Sequence, residues 1–226
     1  MIRRDYIMKM IEECIAALRR IQALKGSQRW QEAHEVVDDE FQKFLGTGAE
    51  GLARMTEMEL LAKLFEGEPT QAVRDKALLL VTVLQEAGEL EMLQDRTEKG
   101  RAFYLKGLHL LLEVLAREDV FEWPEFVPEV EAFMAALHDC ILPMRTQAML
   151  MRHYERTGQF GKAEDALFAM VEEDPGNLRL LEFGVAFYER LHGQSNAALI
   201  AGNLPRAEVD AGLNELQARL KQLPLS

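Results

Sequence analysis

The sequence predicts an all-α fold, and three observations carry the prediction. Apolar residues recur at intervals of three and four along almost the whole chain, the period of one face of a helix. No stretch keeps the strict apolar–polar alternation of a half-buried strand. Glycine- and proline-containing breaks divide the periodic segments into roughly ten helices joined by short loops.

The opening segment places Ile2, Tyr6, Met10, Ile11, Cys14, Ile15, Leu18 and Ile21 on one face, with Arg3, Lys9, Glu13 and Arg20 opposite. KGSQ breaks the period, and it resumes through Trp30, Ala33, Val37, Phe41 and Phe44. This predicts a helical hairpin over about 2–45. GTGAEG reads as a glycine-rich break. In the next segment Thr56 stands three residues before Glu59, the spacing of a capping box, and a short helix is expected to run from there to Gly67.

Pro69 and Thr70 open the next helix, which runs through ALLLVTVLQEAGELEML and is followed after QDRT by EKGRAFYLKGLHLLLEVLARED. These form a second hairpin, about 70–118, with Gly88, Gly100 and Gly107 as small residues and Tyr104 as a bulky one. Pro124 and Pro128 predict an irregular connection leading into a helix that starts near Pro128. Phe121, Trp123 and Phe126 beside these prolines are expected to fold back onto the core. Pro143 opens the following helix, another runs from Leu178 to about Leu191, and Pro205 starts a last helix reaching about Leu220.

Between Met144 and Asn177 the pattern is more specific. Leu150, Tyr154, Gly158, Phe160, Ala163, Leu167 and Pro175 fall at the spacings of a two-helix repeat: a leucine and a tyrosine, a glycine turn, an alanine and a leucine, then a terminating proline. The segment resembles one tetratricopeptide repeat, 144–177. Gln147, Met151 and Met170 depart from the pattern, standing where the family prefers Trp or small residues. In physical terms Ala163 lets the two helices approach closely, while Tyr154, Phe160 and Leu167 fill the space around the contact. Trp30, Ala33 and Val37 repeat the spacing of Phe160, Ala163 and Leu167. The resemblance implies a right-handed stack of antiparallel helical hairpins, taken here as a single domain over 1–226. The opening MIRRDYIMKMIE resembles the start of a group of uncharacterised bacterial proteins assigned to a domain of unknown function. That second resemblance implies a bacterial source and the same fold, and brings no activity with it.

Composition limits the function classes. With 26 Lys and Arg against 38 Asp and Glu, the net charge is −12, which opposes a surface that tracks nucleic-acid phosphates. Cys14 and Cys140 are too few for a disulfide framework and too far apart for a zinc or redox motif, so both are expected as reduced thiols. Charged residues interrupt the apolar part of the N-terminal helix, and no run approaches the roughly 18 apolar residues of a membrane span. A cytoplasmic location without membrane association is expected.

Candidate chemistry is sparse. His34 and Asp38, four apart on one helix, could offer two metal ligands, but a third is lacking nearby and a solvated acidic face is the plainer reading. His138, Asp139 and Cys140 are consecutive, so on a helix they would point in different directions. Phosphate loops and hydrolase motifs are absent, and neither a cofactor nor a metal is expected. Arg145, Arg152 and Arg156 stand out in this acidic chain, because spacings of seven and four align them on one stripe of the repeat's first helix. By the resemblance this stripe faces the concave side of the stack. Forked guanidinium groups there suit an acidic peptide or a C-terminal carboxylate. Plain solvation, or pairing with acids such as Glu118, Asp119, Glu122, Glu125, Glu129 and Glu131, is the structural alternative. The expected function is a noncatalytic protein- or peptide-binding module. An all-α enzyme with a dispersed site and a structural homodimer stand as the alternatives.

Overall fold

A computed structural model describes residues 2–65, 70–117 and 124–223. The expectations for Gly67, Pro69, Glu118, Asp119, Phe121, Glu122 and Trp123 lie outside these residues. The described chain is all-α, with twelve helices and no strand among the described residues. The sequence treats 1–226 as one domain; by contacts the chain divides into two compact units, Met1–Cys140 and Ile141–Ser226.

The first unit contains α1 (Ile2–Gly26), α2 (Trp30–Leu45), α3 (Ala49–Arg54), α4 (Glu57–Phe65), α5 (Thr70–Met92), α6 (Thr97–Arg117) and α7 (Val130–Ala136). The two long helices α5 and α6 make its most extensive contact; α1 and α2 pack on each other and on α5, and α7 packs on α6. Ile21, Phe41, Leu79, Leu80, Leu84, Phe103 and Phe133 fill the core between them. Small residues set how closely these helices can approach. A Cβ added to Gly107 would lie 2.6 Å from the Phe133 ring, so only glycine admits that aromatic at this depth.

Local signals place most of the helix ends. At Thr56 the capping box forms as read: Glu59 N–H donates to Thr56 Oγ1 at 3.2 Å, and Thr56 N–H donates to Glu59 Oε2 at 2.8 Å. The Thr56 N–H, joined by the Thr56 hydroxyl donating to the same oxygen at 3.0 Å, holds the Glu59 carboxyl below its usual range. The GTGAEG segment differs from expectation, because α3 begins within it. Asp38 explains the difference, since its Oδ1 accepts Ala49 N–H at 2.7 Å and places a carboxylate at the start of the short helix.

The second unit contains α8 (Met144–Arg156), α9 (Phe160–Glu173), α10 (Leu178–His192), α11 (Asn196–Ala201) and α12 (Arg206–Gln222). Helices α8 and α9 pack as a hairpin across a three-residue turn in which Gly158 adopts φ 74°, a left-handed conformation that favours glycine. Leu150, Tyr154, Phe160, Ala163 and Leu167 are all buried at or near this contact, with Ala163 and Leu167 fully so. Pro175 lies in the exposed turn before α10. Asn177 caps α10 by accepting Leu180 N–H at 3.2 Å. Met151 and Met170, the departures from the repeat pattern, are both buried. Helix α10 packs on α12 and, less extensively, on α9.

Candidate functional site

The second half of α8 and the facing side of α10 enclose a concavity of about 590 Å³ within the second unit. Arg152, Glu155 and Arg156 reach it from α8, Phe160 from the start of α9, and Phe183, Arg190 and Leu191 from α10, with Gln194 beyond the helix end. The stripe read from the sequence therefore splits. Arg152 and Arg156 line the concavity together, whereas Arg145, two helical turns before Arg152, is exposed outside the lining.

The geometry around these arginines is specific. The Arg152 guanidinium stands 5.8 Å from the centroid of the Phe183 ring, within cation–π range, and makes no ion pair among the described residues. Arg190 binds Glu155 through both arms: Nε donates to Oε1 at 2.7 Å and Nη2 donates to Oε2 at 2.8 Å. These bonds push the Arg190 guanidinium above its ordinary range. Arg156 belongs to the last turn of α8, where a cation offsets the helix dipole. The lining thus carries three guanidinium groups against one carboxylate, over Phe160 and Phe183. Guanidinium groups stay protonated at neutral pH, so this arrangement can hold an anion but is poorly suited to proton transfer.

Arg190, Glu155 and Phe183 lie outside the stripe that the sequence marks. Phe183 and Arg190 are seven apart on α10 and share a stripe, a signal of the same kind as the arginine spacing on α8. Sequence spacing alone does not give the pairing of α8 with α10.

The other flagged residues sit in the first unit. His34 and Asp38 serve different partners: Asp38 accepts Ala49 N–H, while His34 Nδ1 lies 3.8 Å from Glu91 Oε1 and its Nε2 meets Gln94 at 2.9 Å and Arg96. Burial holds His34 below the usual imidazole range; Glu91 opposes this, and Arg96 and Lys99 add to it. The expectation that His138 and Asp139 point apart is corrected. Helix α7 ends at Ala136, so both residues lie in a turn, and His138 Nε2 contacts Asp139 Oδ1. Asp139 also accepts Arg101 Nη2 at 2.9 Å. Cys14 and Cys140 are free thiols, and burial, with Glu40 adding to it, pushes the Cys14 thiol up to about 12.

Sequence reasoning also missed the buried charges of this unit. Lys25 donates to Glu86 and, at 2.6 Å, to Glu89; Gln22 Nε2 donates to the second Glu86 oxygen at 2.9 Å. Glu91, also buried, accepts from Arg96 and lies 2.9 Å from Lys99 Nζ. Among the described residues no group of three or more His, Cys, Asp or Glu is placed to hold a metal ion, and no described helix is long and apolar enough to cross a membrane.

No curated protein and no solved structure matches this chain. Its family is shown by a family model that spans residues 1–221, nearly the whole sequence: the chain belongs to DUF6483, a family of unknown function.

Proposed function

We propose that this protein is a noncatalytic interaction module whose second unit binds an acidic peptide, or the carboxylate end of a polypeptide, over Arg152 and Arg156. In this reading α8 and α9 are one repeat of a tetratricopeptide-like stack, and the concavity beside α8 is its ligand face. The observation that carries the proposal is the meeting of Arg152 and Arg156 with Arg190 over two aromatic rings. Guanidinium groups recognise a carboxylate by charge and fork geometry, and the half-buried Phe183 ring offers a surface for the apolar side chain next to it. The overall charge of −12 makes a local cluster of three arginines an electrostatic feature that acidic ligands would find against a repulsive background.

The test uses a library of dye-labelled hexapeptides with randomised last three positions, prepared with a free C-terminus and as C-terminal amides. Binding of the free-acid set is expected, weakening as salt rises through screening. Replacing Arg152 and Arg156 together with Gln is expected to weaken it by roughly tenfold or more, since charge-assisted bonds to a carboxylate contribute about 1.5–3 kcal/mol. Equal binding of acids and amides, insensitive to salt and to the double substitution, would refute the reading.

A further inference from the structure

Three helices of the first unit meet around His34. The ring projects from α2, its side chain 25% exposed, and faces the turn of residues 93–96 that joins α5 to α6. Two N–H groups of that turn meet its Nε2: the Gln94 amide at 2.9 Å and one arm of the Arg96 guanidinium. A guanidinium only donates, so Nε2 accepts. The Gln94 amide is held in the same sense, because its nitrogen also donates to the Leu90 carbonyl at 2.8 Å, where the amide oxygen would face another oxygen. The imidazole proton therefore sits on Nδ1, the nitrogen 3.8 Å from Glu91 Oε1. In this arrangement the neutral ring ties α2 to the turn.

The geometry points to His34 as a proton-operated latch between α2 and the α5–α6 turn, closed while the ring is neutral and released when a proton takes Nε2. That proton turns the shared acceptor into a third donor, so Gln94 and Arg96 lose their common partner together. The surrounding charges offer little in return. Glu91 of α5 attracts an imidazolium, but it already accepts from Arg96 Nε and lies 2.9 Å from Lys99 Nζ of α6, and both of those cations repel the ring. On α2 itself Asp38 accepts Ala49 N–H, and Lys25 of α1 is committed to Glu86 and Glu89. Burial, opposed by Glu91 and aided by Arg96 and Lys99, keeps the folded ring below the ordinary imidazole range. A histidine depressed on folding stabilises the closed contact above its unfolded value of about 6.5, and that contribution is lost as pH falls through the folded one. Acid therefore opens the latch.

Nitrogen NMR of the histidine rings in the full chain, with His34 assigned through its own backbone resonances, provides the test. At neutral pH the His34 proton is expected on Nδ1, and the titration midpoint is expected below that of a histidine in an unfolded peptide. The amides of Gln94 and Arg96, which donate to the Glu91 carbonyl at 3.1 and 3.0 Å, report on the turn. Their hydrogen-exchange protection, corrected for the intrinsic pH dependence of exchange, is expected to fall roughly threefold or more between neutral pH and about pH 5. In His34→Gln, whose side-chain oxygen accepts without titrating, the fall is expected to stay within about twofold. Arg96→Gln removes one donor to Nε2 and one repelling charge, and is expected to raise the His34 midpoint. A proton on Nε2 at neutral pH, a midpoint at or above the unfolded-peptide value, an equal loss of protection in His34→Gln, or an unmoved or lowered midpoint in Arg96→Gln would each overturn the latch. The wild-type tautomer and midpoint decide the outcome if His34→Gln does not fold.

Discussion

The two units of this chain treat charge in opposite ways. In the first unit Lys25, Glu40, Glu86, Glu91 and Lys106 are buried, whereas in the second the buried polar residues among those described are the uncharged Thr146 and Gln147. Burying an ion costs several kcal/mol of hydration, recovered only when partners from other elements meet it in good geometry. Lys25 meets Glu86 and Glu89 across α1 and α5, and Glu91 collects Arg96 and Lys99 at the turn between α5 and α6. These pairs fix how helices align, because a shift of one turn would leave an ion alone. In the second unit the hairpin contact is apolar and the arginines stay at the surface. Exposed arginines contribute little to stability, and their hydration can be exchanged for a ligand at small cost.

The sharpest way to break this comparison is to remove one buried cation. Lys25→Met keeps the volume and apolar stem but strands Glu86, whose side chain is 8% exposed, with only Gln22 as a partner among the described residues. A loss of about 3 kcal/mol is expected, read as a lowered urea midpoint of the full chain. A change within about 0.5 kcal/mol would show that the buried pair is energetically idle and that the two units differ less than their geometry suggests.

The next largest effect belongs to the apolar contact of the second unit. Ala163, on α9, is fully buried, so a larger side chain there must displace its neighbours. Ala163→Phe is expected to cost about 1–3 kcal/mol through overpacking, measured by the same denaturant titration. Undiminished stability would mean that the contact is plastic, and would count against the close-packed repeat read from 144–177.

That contact was legible in the sequence because its determinants are local. Gly158, Phe160, Ala163 and Leu167 lie within ten residues of one another, and a turn requirement plus helical spacing suffices to order them. The buried charges were not legible for the converse reason. Glu86 looks like a solvated position on a helix, and its cation comes from far along the chain: Lys25 is 61 residues from Glu86. The candidate site divides along the same line. Arg152 and Arg156 follow from a spacing of four on α8, while Glu155 acquires its meaning only from Arg190 on another helix. Arg145 shows the limit of stripe reasoning, since a shared face does not ensure a shared concavity.

The smallest expected effect probes the one place where the second unit comes near the strategy of the first. Tyr188, fully buried, donates its hydroxyl to Glu164 Oε1 at 2.5 Å, and Gly212 makes room for that phenol. Burial raises the Glu164 carboxyl above its usual range; the Tyr188 bond opposes the rise, and Glu208, Asp165 and Glu215 reinforce it. Here the charged form carries the penalty. A carboxyl raised on folding binds protons more tightly in the native state, so its contribution is most favourable below the unfolded value and is lost as pH rises through the folded one. Glu164→Gln keeps an oxygen for Tyr188 and removes the charge. At pH 7 it is expected to leave stability unchanged or raise it by a few tenths to about 1 kcal/mol, with the advantage shrinking toward pH 4 as the wild-type carboxyl protonates. A clear loss at pH 7 would mean that the ionised carboxylate is stabilising as it stands, and the contrast between a unit that compensates its buried ions and one that largely avoids them would have to be redrawn.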